Sequence, residues 1–66
     1  MTNDAKTIDM ELAKLIFEKT KDKVFTQKTC VFLDTDSQKN ELIRFIKDNN
    51  PTKNEISHKA FELVMF

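Results

Sequence analysis

The sequence contains no glycine, tryptophan or tyrosine, and it has one proline, one cysteine and one histidine. Without glycine, asparagine is left to take the positive φ that a turn or a helix end requires. One cysteine forms no internal disulfide, which suggests a reducing compartment. No glycine-rich loop is available to bind a phosphate group.

Charge and hydropathy patterns exclude further classes of protein. Lysine plus arginine and aspartate plus glutamate each number 11, giving a formal net charge of +0. This balance argues against strong non-specific binding to nucleic acid, although it allows a local basic patch. No apolar run approaches the ~20 residues of a membrane span, and Met1-Thr2-Asn3-Asp4 lacks the basic and apolar regions of a signal peptide. We expect one small cytoplasmic domain, 1–66, without membrane contact.

Candidates for catalysis are few. A nucleophile pair of Cys30 and His58 is conceivable, but Cys30 lies in an apolar run and no motif surrounds either residue. No cluster of histidine, cysteine and carboxylate side chains has the spacing of a metal site. We therefore expect a protein that is not an enzyme and that has no catalytic residue, metal or cofactor.

Three amphipathic patterns predict helices near residues 7–21, 36–49 and 53–65. The first helix has two apolar stripes on nearly opposite sides. Either both belong to a wide core face, or one packs on a partner. The first stripe is Ile8, Leu12, Leu15 and Ile16, and the second is Met10, Ala13 and Phe17.

The segment Val24–Leu33 is rich in β-branched and aromatic residues, which favours a strand. Two registers remain open: either Val31 and Leu33 face the core, or Cys30 and Phe32 do. Both faces of this strand are apolar after Thr29, and such strands are normally covered on both sides.

Signals for helix ends frame the last two helices. The second helix starts within Asp34-Thr35-Asp36-Ser37, and Asn49-Asn50 ends it in a left-handed cap. Thr52 and Glu55 have the spacing of a capping box, directly after Pro51. The buried stripe of the second helix is Leu42, Phe45 and Ile46, and that of the third is Ile56, Ala60, Leu63 and Val64.

The order strand, helix, tight turn and capped helix over residues 29–66 resembles the ribbon-helix-helix family of DNA-binding proteins. The second family helix begins with a small cap, a basic residue, a small polar residue, an acid and an aliphatic. Thr52-Lys53-Asn54-Glu55-Ile56 matches that order, with Ala60 at a small core position. The implied fold is mainly α: an N-terminal helix (1–23), then a strand-helix-helix unit (24–66), in a dimer.

The resemblance implies a small dimeric regulator that binds duplex DNA, such as a repressor, an antitoxin or a partition protein. Strands from two subunits would pair as a ribbon, and the N-terminus of the last helix would bind a phosphate. The implied DNA-binding residues are Lys28, Thr29, Thr52, Lys53 and Asn54. The expected residues of the dimer interface are Val31, Leu33, Ile56, Ala60, Phe61 and Val64.

A second hypothesis is a small helical protein-interaction module, either an inhibitor or an adaptor, that binds another protein and not DNA. It fits the zero net charge, the two-striped first helix and the apolar segment 24–33. The lysines between Lys19 and Lys28 form a phosphate-binding patch under the first hypothesis and a solvated helix end under the second.

Both hypotheses predict an obligate homodimer, because one chain of 66 residues has more apolar surface than it can bury against itself. The melting temperature should then rise with protein concentration, since dissociation and unfolding are one event. A melting temperature constant over a hundredfold dilution, together with a monomer mass by light scattering, would refute this expectation.

Overall fold

The computed structural model describes the backbone of residues 4–66 and the side chains of residues 7–66. Met1, Thr2, Asn3 and the side chain of Asp4, which carried the expectation about a signal peptide, lie outside this description. Four helices follow one another: α1 (Asp4–Thr20), α2 (Lys23–Phe32), α3 (Asp36–Asn49) and α4 (Lys53–Met65). None of these helices combines the length and apolar character needed to cross a bilayer.

Helix α1 is the central element, since it packs against α2 and α3 and also contacts α4. Leu12 and Ile16, one turn apart, are fully buried. Met10 and Phe17, from the second predicted stripe, are exposed. The first stripe therefore packs in the core, and the second lies on the surface.

The predicted strand at Val24–Leu33 is wrong, because this segment forms α2. Leu33 is buried and Cys30 is half-buried, whereas Val31 and Phe32 are both exposed. This is a helical pattern, so neither of the two alternating registers applies. No strand occurs in the part of the chain that the structure describes, and a ribbon-helix-helix fold requires one from each subunit.

Local contacts at Asp22 explain why a β-rich composition folds as a helix. Lys21 takes a positive φ of 55°, which turns the chain after α1. The Asp22 carboxylate then accepts a hydrogen bond from the Phe25 backbone N–H at 3.0 Å, the geometry of an N-cap. The Thr26 hydroxyl donates to the Asp22 carbonyl at 2.8 Å. Because β propensity depends on context, this start and packing on α1 and α4 outweigh it.

The caps of α3 and α4 form at the residues where the sequence predicts them. Thr52 and Glu55 form a capping box, with the Glu55 carboxylate accepting from the Thr52 backbone N–H at 2.8 Å. Asn50 takes the left-handed conformation at φ 48° and ends α3. A second capping box, between Thr35 and Gln38, starts α3. Both boxes fix where a helix begins, and the corner holds α4 against α3.

The core lies where α1, α3 and α4 meet, with the end of α2 closing one side. The single chain closes this core within the described residues. Its buried hydrophobic residues are Leu12, Ile16, Leu33, Leu42, Ile43, Ile46, Ile56 and Ala60.

Leu42→Ala should lower the free energy of unfolding by about 2–5 kcal/mol, because Leu42 is fully buried and truncation leaves a cavity. Val31→Ala is the matched control. Val31 is 81% exposed on a helix, so its loss should change stability by no more than about 0.5 kcal/mol. Urea denaturation followed by circular dichroism measures both. A loss above about 1 kcal/mol for Val31→Ala would contradict its exposure.

Candidate functional site: the apolar surface around helix α2

Several large hydrophobic side chains are exposed in the described part of the chain. Large exposed hydrophobic side chains cluster on α1, α2 and the C-terminal half of α4, and contiguous apolar surface of this kind usually marks an interface. The exposed large hydrophobic residues are Met10, Phe17, Val24, Val31, Phe32, Phe61, Met65 and Phe66.

Helix α2 buries polar residues and exposes apolar ones. Thr26 and Thr29 are each only 6% exposed, whereas Val24 is 60% and Val31 is 81% exposed. A surface helix of a globular protein normally shows the opposite arrangement. The outward face of α2 therefore combines polar residues with exposed valines, and the valines are available for contact with another molecule.

A groove of about 330 Å³ runs between α2 and α4, and we call it the α2–α4 groove. Buried Thr29 and Ala60 form its floor, and Phe25, Phe32 and Phe61 form its apolar walls. The remaining lining residues are Lys28 and Ser57. Lys28 is thus the one ionisable residue of this lining.

Two contacts hold α2 alongside α4 and set the width of this groove. At its N-terminal end, the Lys53 ammonium donates to the Asp22 carboxylate at 2.6 Å and lies 5.2 Å from the centre of the Phe25 ring. At its other end, the Phe32 and Phe61 rings are nearly parallel, with centroids 6.4 Å apart. Because N-terminal residues meet at one end and C-terminal residues at the other, α2 and α4 run in the same direction.

A second groove lies on the other side of α2, against α1, and has a volume of about 700 Å³. Met10, Cys30 and Val31 line it, and an ion pair between Asp9 and Lys39 at 2.7 Å lies at its edge. Val31 also borders a shallow depression with Phe32. The apolar surface is therefore continuous from α1 across α2 to α4.

The structure places Cys30 and His58, the conceivable nucleophile pair, in different grooves. Cys30 lines the groove between α1 and α2, whereas His58 lines another groove, with Phe45, and lies 3.2 Å from Glu62. Burial, followed by the nearby Asp9 carboxylate, raises the pKa of the Cys30 thiol, so the thiol is protonated at neutral pH. In the described residues, no three histidine, cysteine or carboxylate side chains are placed to bind a metal ion.

The residues expected to contact DNA lie in different environments in the structure. Lys28 is exposed at the α2–α4 groove, but Thr29 is buried beneath it. The Thr52 side chain caps α4, and the Lys53 ammonium bonds to Asp22. Asn54 is exposed and lines the groove between α3 and α4.

The residues expected at a dimer interface also separate into two groups. Leu33, Ile56 and Ala60 lie in the core of the single chain, and Val64 is half-buried against it. Val31 and Phe61 are exposed and border the apolar surface. Val31 is 81% exposed, whereas Phe61 is 52% exposed and stacks on Phe32.

Sequence reasoning missed Val24, Phe25 and Phe32 as members of a helical surface. The signal was present in their spacing. Val24 and Val31, like Phe25 and Phe32, are seven residues apart, which places each pair on one side of a helix. The β-branched composition of the segment concealed this period.

Lys53→Met should raise the pKa of Asp22. In the native chain, the hydrogen bond from Lys53 and then the one from the Phe25 backbone hold this pKa below its ordinary value of 3.8. The resulting stabilisation is present above that value and is lost as the pH falls through the folded-state pKa. A carboxyl carbon NMR titration measures it, with Lys47→Met, which removes the partner of Glu11, as control. Identical Asp22 titrations in all three proteins would disprove the linkage.

Comparison with known proteins returned no relative of this chain. No family model, no curated protein and no solved structure matches it. Inference about function therefore starts from the surface described above, whose defining feature is the apolar outward face of α2.

Proposed function

We propose that this protein is a protein-interaction module, which binds another protein through the apolar surface of α2 and α4. The supporting observation is the inversion of α2, whose threonines are buried while Val24 and Val31 are exposed. A chain that exposes such a face to water loses the free energy gained on apolar burial, about 25 cal/mol per Å². A partner that covers the face recovers it.

The DNA-binding alternative has lost its main support. It depended on a strand whose outward side chains enter the major groove, and the described residues contain no strand. Of the residues assigned to DNA contact, Lys53 is engaged by Asp22 and Thr29 is buried. An apolar surface also offers little to a phosphate backbone, which attracts positive charge.

A second copy of the chain remains an alternative partner. The obligate homodimer was expected because one chain has more apolar surface than it can bury, and large hydrophobic side chains are indeed exposed. The core itself, however, is enclosed by α1, α3 and α4 within one chain. The apolar surface therefore does not require a second copy, and a different protein meets its chemistry equally well. The dependence of the melting temperature on protein concentration distinguishes the two partners.

A photo-crosslinking amino acid in place of Val31 should form a discrete covalent adduct in the cells that make the protein. Val31 is exposed and lines both the groove between α1 and α2 and the depression beside Phe32, so the probe would contact a partner that covers this surface. Arg44 is the matched control position, because it is exposed on α3 and lines neither groove. Mass spectrometry of the adduct identifies the partner.

Three outcomes are distinguishable. An adduct with one protein at position 31 and none at position 44 supports the proposal. An adduct of twice the mass of the chain, with a concentration-dependent melting temperature, assigns the surface to a homodimer. No adduct at position 31 beyond that at position 44 overturns the proposal.

A further inference from the structure

We infer that the α2–α4 groove binds an amphipathic helix of another protein, with apolar residues in the groove and acidic residues facing Lys28. This inference rests on the proposed function and names the chemistry of the partner. It depends on two independent features of the groove, namely its shape and its charge.

The shape of the α2–α4 groove suits one face of a helix. The residues of α2 that line the groove run from Phe25 to Phe32, which at about 1.5 Å per residue is roughly 10 Å and matches about two turns of a partner helix. Phe25 and Phe32 line one wall at a spacing of seven residues, and Phe61 stands opposite. A helix that presents apolar residues at i, i+3 or i+4, and i+7 fills a groove of this length.

The charge around the groove has one sign. From Lys23 to Phe32, α2 contains two lysines and no acidic residue. Lys28 forms no ion pair with any described residue, and Asp22, just before the helix, is already bonded to Lys53. The first acid beyond the helix is Asp34, outside the groove lining. Carboxylates beside the apolar residues of a partner would therefore meet uncompensated positive charge.

The same charge distinguishes this partner from a second copy of the chain. A two-fold contact uses the same patch on both subunits, so a contact centred on this groove would bring the two Lys28 side chains close together. Like charges placed across an interface oppose binding. An acidic amphipathic helix reverses the sign of that interaction.

The test is selection from a display library of amphipathic helical peptides with fixed apolar positions and randomised flanking positions, using the full chain as bait. Peptides enriched on the native chain, relative to Phe61→Ser, should carry aspartate or glutamate at the flanks. A synthetic glutamate-flanked peptide should bind about tenfold more tightly at low salt than its lysine-flanked counterpart, since each swap turns attraction into repulsion. Amide NMR shifts should change along α2 and α4.

Lys28→Glu should abolish or reverse the preference for acidic flanks. Lys14→Glu is the matched control, since Lys14 is exposed on α1 and lines neither groove, and it should leave the preference intact. Circular dichroism of each variant verifies that the four helices form. A Lys28→Glu variant that keeps the native preference would overturn the inference.

The remaining outcomes separate this inference from the proposed function. Equal binding of acidic and basic peptides, or no enrichment over Phe61→Ser, overturns the inference, while an adduct at position 31 still supports a protein-interaction role. Binding of a single-stranded oligonucleotide that weakens steeply with salt and displaces the peptide would assign the phenylalanines to base stacking. Failure of both the peptides and the adduct overturns both proposals.

Discussion

The Asp22 carboxylate joins the start of α2 to α4, while α2 itself packs mainly on α1. One oxygen accepts the Phe25 backbone N–H and starts the helix, and the other accepts the Lys53 ammonium and ties that start to α4. The same carboxylate therefore starts the helix at residues 23–32 and also links it to α4. Since Lys53 also lies over the Phe25 ring, the same contact shapes one end of the α2–α4 groove.

Helix α2 buries threonines and exposes valines, and this arrangement need not destabilise the chain. The Thr26 hydroxyl donates to the Asp22 carbonyl, so its burial leaves no unpaired donor, a deficit that would cost about 1–3 kcal/mol. The core is supplied by α1, α3 and α4, together with Leu33 just beyond α2. The outward residues of α2 therefore contribute little to the core, and their apolar character points to binding.

The surface around α2 combines two properties that together narrow the class of partner. Apolar walls favour burial of any hydrophobic side chain and carry little selectivity of their own. Lys28, which lines the groove and forms no ion pair with a described residue, adds a preference for negative charge. Specificity is the difference between the binding free energies of two partners. The charge of Lys28 can therefore discriminate between amphipathic helices that fill the groove equally well but differ in charge.

Local signals in the sequence were sufficient to predict three helices, the capping box of Thr52 and Glu55, and the left-handed Asn50, because each depends on residues within one or two turns. Helix α2 was predicted as a strand. Its β-branched residues favour extended backbone, and contacts with α1 and with Lys53, 31 residues from Asp22, outweigh that preference. The residues after Thr29 were expected to be apolar on both faces of a strand, but which side chains face outward depends on the period of the backbone. A helix places Val24 with Val31 and Phe25 with Phe32, and packing on α1 and α4 turns the threonines inward.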